Sequence, residues 1–188
     1  ADFNYNWFDT NGKKSCEDKP VLLSKSKLDS RNTSYFIKGY LQSKFFGGRL
    51  PLGNINIALD KNATASDYYD AGSVASKAFD GDDSTAWNAG AHPLQWISVD
   101  LGQNFSIGQI RLRVAQLPDG NTIHNIYFSQ DGVNWGSPVD IIDSYTEGWQ
   151  WITRDVLGYA RFIKVETTSS PSWVAWLEIE VYPLSFVP

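Results

Sequence analysis

The chain has 188 residues, of which 42% are hydrophobic, 20% charged and 14% aromatic, and its formal net charge is -5. That length holds one domain with a sizeable core, or one domain and an extension, and the balance of apolar and charged residues excludes a disordered chain. The negative charge argues against nucleic acid or anionic membrane as the main partner, because phosphate binding needs clustered Lys and Arg.

From the N-terminus, residues 1–53 differ from the rest. They hold Cys16 and the interrupted basic run from Lys13 to Lys44, read here as a solvated surface. Regular alternation begins only at Tyr35-Phe36-Ile37-Lys38-Gly39-Tyr40-Leu41. Phe3, Tyr5, Trp7 and Phe8 are too many aromatics for a disordered tail, so this extension is expected to pack on the following domain or on another chain. A homo-oligomer or larger assembly would form through it. Cys16 is the only Cys, so no disulfide forms within the chain. The chain starts at Ala1 and holds no Met, as a trimmed, mature or excised piece would; a removed signal peptide leaves no trace. No stretch approaches the ~18 apolar residues of a membrane span, so direct membrane insertion is not expected.

Residues 54–188 read as a domain of short strands. Ile110, Leu112 and Val114 alternate with Gln109, Arg111 and Arg113 over 109–117, placing one face inward and one in water. The same period of two runs through 96–101, 126–129, 161–166 and 177–182. Turn signals separate these runs: Asp80-Gly81-Asp82-Asp83, Leu101-Gly102, Asp119-Gly120-Asn121 and Asp131-Gly132. No long segment has a helical period. The expectation is an all-β chain: an antiparallel β-sandwich or jelly roll behind an N-terminal extension.

Four stretches carry a family resemblance. Lys77-Ala78-Phe79-Asp80-Gly81-Asp82-Asp83-Ser84-Thr85-Ala86-Trp87 is similar to an AxDGxxxTxW segment, and Gln95-Trp96-Ile97-Ser98-Val99-Asp100-Leu101-Gly102 to a QWIxVDLG strand. Residues 126–135 resemble an IYVSxDGxxW hairpin, and Glu178-Ile179-Glu180-Val181-Tyr182 an EIEVY ending. In this order and spacing they resemble the discoidin family (F5/8 type C, including family 32 carbohydrate-binding modules) over about Ile57 to Pro183.

The resemblance implies a structural Ca2+ held by Asp80, Asp82, Thr85 and Glu178 with the carbonyls of Lys77 and Leu177. Hard cations want six to eight oxygens at roughly 2.3–2.6 Å, and Gly81 lets the chain bend around them. An Asp-Gly turn without metal is the alternative. The resemblance also places a glycan site in the loops at one end of the sandwich. There the candidates are Tyr69 beside Tyr68, Asn88, His92, Gln116, Asn121 and Trp173, a set of amides, one imidazole and stacking rings. The arginine usual in galactose-binding relatives is absent: Val114-Ala115-Gln116-Leu117 stands in its place, within a QxPxGxTxH pattern. His124, Trp151 and Trp176 are expected in the core.

The function implied is non-catalytic binding of a glycan or polysaccharide, attaching a larger protein or particle to a glycan surface. The alternative is a protein-interaction or assembly module of a cell-surface or virion structure, with residues 1–53 as its docking segment. Nucleophilic enzyme chemistry has little material in two His and one Cys; the 21 Asp and Glu leave room for a glycosidase carboxylate pair, although no carboxylate is expected in a setting that would raise its pKa. The expected location is extracellular or at the cell surface, with periplasm or virion surface as variants.

Overall fold

Seven strands and one short 3-10 turn follow one another in the computed structural model, which describes residues 55–184. They are β1 (Asn62–Ala65), the turn Ala75–Ala78, β2 (Trp87–Asn88), β3 (Gln95–Val114), β4 (Gly120–Ser129), β5 (Asp140–Thr146), β6 (Trp151–Ser169) and β7 (Ala175–Pro183). The expected extension at residues 1–53, and the docking role given to it, lie outside the described residues.

All pairings are antiparallel, in the order β2-β7-β3-β6-β4-β5, with β1 on β3. Two strands are long enough to serve both layers of the sandwich. The first part of β3 pairs with β1 and with the second part of β6, at Ile97↔Val165; its second part pairs with β7 and with the first part of β6, at Leu112↔Ile179 and Leu112↔Ile152. The register breaks between Asp100 and Phe105, and there the path folds over. At this break Gly102 has φ 85, a conformation that costs a Cβ-bearing residue dearly. The Leu101-Gly102 turn signal therefore marks a bulge within one strand instead of a turn between two. Arg161 closes the corner with two hydrogen bonds of 2.7 Å to the Asp100 carboxylate, whose pKa they hold below the usual range.

The core follows the period of two. Ile97, Val99, Leu101, Ile126, Ile163 and Val165 from one layer meet Ile107, Ile110, Leu112, Val114, Ile179 and Val181 from the other, with Phe79, Trp87 and Trp176 filling the space between. Trp151, expected among them, sits half-buried on the outer face, paired in register with Arg113. The Arg111 guanidinium lies 4.2 Å from its ring centroid and donates to Glu180 at 2.7 Å. Arg113 pairs with Asp83. The face read as wet is thus a belt of cations over a tryptophan.

Candidate functional site

Opposite the folded corner, five connections meet at one end: residues 66–74, 89–94, 115–119, 147–150 and 170–174. This follows from the register. β3 ends at Val114 beside β7 (Val114↔Trp176), and β6 starts beside Arg113 (Arg113↔Trp151). In the other layer β4 starts opposite the end of β5 (Gly120↔Thr146), and β6 ends beside Ile123 (Ile123↔Ser169). The 115–119, 147–150 and 170–174 connections therefore each cross from one layer to the other at the same rim.

Hydrogen bonds lace three of these connections together. Tyr69 N–H donates to the Asn88 carbonyl at 2.8 Å, Ala89 N–H to Val174 at 2.9 Å, and Val174 N–H to Ala91 at 3.0 Å. Tyr69 and Trp173 thereby come together in space, ring centroids 5.4 Å apart and planes tilted 45°. Both remain exposed, Trp173 at 43%. Gly90 is required beneath them, since a Cβ there would lie 3.1 Å from the Tyr69 Cα on a backbone of φ 67. His92 is exposed in the same loop, which is pinned by Gln95 Nε2 donating to the His92 carbonyl at 3.1 Å. Asn88 is half-buried, and its Oδ1 accepts from Gly90 N–H at 2.8 Å. Tyr69, Asn88, His92 and Trp173 are thus brought together.

Gln116 and Asn121 are placed differently. Gln116 is not offered to the open loop surface: it is buried and donates Nε2 to the Thr146 carbonyl at 3.3 Å. Packing between the crossing loops draws it inward, and there it lines a small pocket beneath Trp173 with His124, Thr167 and Trp176. Asn121 is exposed on β4 opposite Tyr145, next to Gly120, whose neighbour across the rim is Pro171. His124 is the buried histidine expected: its Nδ1 lies 2.9 Å from Thr167 Oγ1, and its ring stands edge-on to Trp176 at 4.8 Å. Burial pushes its pKa down to about 4, so the ring is neutral at pH 7, and its Nε2 has no partner.

Two exposed aromatics, Tyr145 on β5 and Trp149, escaped the sequence reading, and the second lies in a connection of this rim. Trp149 is 65% exposed and has φ 68, a left-handed backbone that a bulky residue adopts only when its surroundings impose it. Here Trp149 N–H donates to the Val114 carbonyl at 2.9 Å and Gly148 N–H to Asp119 Oδ1 at 2.8 Å. At Gly148 any Cβ would meet the Gln116 carbonyl oxygen at 2.3 Å. The sequence signal was Glu147-Gly148-Trp149, a loop-type glycine before an aromatic.

Below the other flank, oxygens crowd around one hydroxyl. Thr85 Oγ1 lies 2.9 and 3.0 Å from the two Asp80 oxygens, 3.2 Å from the Asp82 carbonyl and 3.4 Å from the Lys77 carbonyl. A hydroxyl has one proton to give, so most of these acceptors are not satisfied by it. Asp80 is opposed by burial but takes hydrogen bonds from Lys77 Nζ, Asp82 N–H and Thr85, which hold its pKa below the usual range. Glu178 on β7, after the buried Leu177, is only 3% exposed, and neither carboxylate oxygen has a partner. Burial first, then the charges of Asp80 and Glu180, push its pKa up to about 7 against the pull of the nearby Gly81 and Asp82 N–H groups; contrary to expectation, one carboxylate thus does sit in a pKa-raising setting, because the register of β7 buries it. The Asp82 carboxylate itself turns outward onto Ser84, at 2.6 and 2.9 Å. No three His, Cys, Asp or Glu side chains cluster tightly enough to hold a metal by themselves among the described residues. The mixed set of carbonyl, hydroxyl and carboxylate oxygens around an unsatisfied buried Glu178 nonetheless suits a hard cation.

The F5/8 type C domain family model matches residues 62–179. Galactose oxidase of Gibberella zeae is 28% identical over 165 residues, taking in 79% of this chain but 23% of that protein. The chain therefore spans about a quarter of the length of the curated galactose oxidases it matches. Among solved structures, chitosan-binding module 2 of a chitosanase/glucanase from Paenibacillus sp. IK-5, in complex with chitotriose, is 30% identical with a TM-score of 0.58, covering 68% of this chain and 99% of that one. A fucolectin from striped bass serum shares the fold alone, at 16% identity and a TM-score of 0.60, covering 74% of this chain and 51% of that one.

Proposed function

Since the chain belongs to the F5/8 type C domain family, we propose that it is a non-catalytic glycan-binding module whose site is the loop end bearing Tyr69 and Trp173. The observation that carries this reading is that pair of exposed rings, brought to 5.4 Å from remote parts of the chain. A sugar presents an apolar C–H face and a ring of hydroxyls; the rings suit the first, His92 and the nearby carbonyls and amides of the 88–92 loop the second. That a relative of similar sequence is a chitosan-binding module solved with chitotriose supports the same reading. His124, one of the two histidines, is buried against Thr167 and Trp176, closed off from an open site.

Within this reading the Lys77 carbonyl, Asp80, Thr85 and Glu178 hold a structural calcium, with Asp82 and Leu177 as the flanking candidates. The ion would neutralise Glu178 and tie the 77–85 turn to β7. Residues 54–188 form the binding domain, and residues 1–53 an extension that couples it to a partner or a larger assembly. The module works outside the cell, attaching its parent protein or particle to a glycan surface. Shallow single sites bind modestly, so attachment gains from several copies.

Screening the chain on a glycan array, with Trp173→Ala as control, tests the reading. Binding to a defined set of glycans that disappears in the variant is the expected result. An array on which wild type and variant are equally silent, with the fold intact, moves the assembly reading to the front.

A further inference from the structure

The loop end carries a second aromatic and a distinctive charge, and neither is absorbed by the site at Trp173. Trp149 N–H bonds to Val114 O on one side of the end of β3, and Ala115 N–H to Ala175 O on the other. The 147–150 and 170–174 connections therefore flank the 115–119 connection, two strand spacings or about 10 Å apart. Trp149 and Trp173 thus stand at the two sides of one rim, a separation longer than a single pyranose ring. On the Trp173 side lies the small pocket beneath that ring, whose lining includes His124 with its unpartnered, buried Nε2.

The charge of the rim is one-sided. Its five connections contain Asp67, Asp70, Asp119 and Glu147 and no Lys or Arg. All four acids are exposed, and among the described residues none is in an ion pair. Asp67, Asp70 and Asp119 each spend Oδ1 on loop donors, namely Tyr68 N–H, Gly72 N–H with Ser73 Oγ, and Gly148 N–H. Elsewhere in the domain Asp83, Asp100, Asp140 and Glu180 each face an arginine. Four carboxylates without an ion pair among the described residues, set around stacking rings, repel uronic and sialic acids and attract a cation.

We propose that Trp149 is a second stacking platform, and that this end binds a linear oligosaccharide bearing free amino groups, laid from Trp173 across the 115–119 loop to Trp149. The inference rests on the glycan-binding reading and deepens it, by adding a residue and a substrate class. A monosaccharide engages Trp173 and Tyr69 alone; a trimer reaches Trp149, with its ammonium groups beside Asp119 and Glu147. The charge contribution is solvent-exposed and therefore falls with salt.

Calorimetry with the full chain tests this with three probes: glucosamine, its β-1,4-linked trimer and the N-acetylated trimer. The amine trimer should bind about ten-fold more tightly than the monomer and more tightly than the N-acetylated trimer, the latter preference shrinking at high salt. Trp149→Gly should bring the trimer to within a few-fold of the monomer and leave monomer binding unchanged. Glu147→Gln with Asp119→Asn, which keeps the Gly148 acceptor, should erase the preference for the amine. Unchanged trimer affinity in Trp149→Gly overturns the platform, and equal affinity for the two trimers overturns the charge assignment. If no probe or array glycan binds wild type, the glycan-binding reading itself falls; if binding survives Trp173→Ala, the placement of the site at Trp173 falls, and the inference made here with it; dependence on Trp173 without Trp149 sinks only that inference.

Discussion

Tyr69 and Trp173 stand with ring centroids 5.4 Å apart, held by the hydrogen bonds that lace the 66–74, 89–94 and 170–174 connections. A tilted aromatic pair is worth about 0.5–1.5 kcal/mol beyond its area. Tyr69→Ala and Trp173→Ala should therefore be non-additive in stability by about 1 kcal/mol, as a double-mutant cycle in urea reads it. Additive losses would mean that the rings are neighbours without mutual support, and that each is oriented by its own loop.

The second prediction concerns Glu178, buried near Asp80 with neither carboxylate oxygen in a side-chain hydrogen bond or ion pair among the described residues. If a cation binds there at ~100 times its Kd, and only to the folded chain, it adds about 2.7 kcal/mol. A strong chelator should then lower the Tm of wild type by roughly 5–10 °C. Glu178→Gln removes the desolvated charge along with the ligand, so it should melt at nearly the same temperature with and without chelator. Identical melting of wild type in calcium and in chelator, after prolonged incubation, speaks against the site.

His124 sets a pH dependence whose sign is fixed by its burial. Its pKa is about 4 in the folded chain and 6.5 when unperturbed, so between those values the unfolded chain binds a proton that the folded chain refuses. The stability contribution is complete above pH 6.5 and is lost as pH falls toward 4, to a total on the order of 3 kcal/mol. His124→Leu lacks this contribution. Urea midpoints at pH 7 and pH 4.5 should drop less steeply in the variant; parallel drops would assign the acid sensitivity to the carboxylates.

Trp149 and Trp151 should answer substitution in opposite ways. Trp149 is exposed on a backbone of φ 68, a region costing a bulky residue about 1–3 kcal/mol. Trp149→Gly relieves that strain at some cost in chain entropy, so stability should hold or rise by about 1 kcal/mol. Trp151→Ala removes a half-buried ring lying 4.2 Å beneath the Arg111 guanidinium, and should cost about 2 kcal/mol. Thermal melts of both variants decide it. A destabilised Trp149→Gly would show that its ring packs on the rim and is not free for a ligand.

The sequence by itself determined the layers and the chemistry. Ile97, Val99 and Leu101, then Ile110, Leu112 and Val114, face inward because side chains alternate along a strand, a local rule that needs no partner strand. Asp80, Gly81, Asp82 and Thr85 announced an oxygen-rich turn for the same reason: all lie within one short stretch of chain. What crosses the domain was decided only by the fold. Glu178 arrives under that turn through the register of β7, and burial there leaves its carboxylate without a partner. Gln116, polar and in a loop, is drawn under Trp173 because two connections cross over it and its amide finds the Thr146 carbonyl. Trp149 and Trp151 are two residues apart, so alternation alone gives both the same face and the same fate. The bond from Trp149 N–H to Val114 O turns the chain left-handed between them, and one ring goes to the rim while the other lies under arginines. That bond joins residues far apart in sequence, and no local pattern of apolar and polar residues contains it.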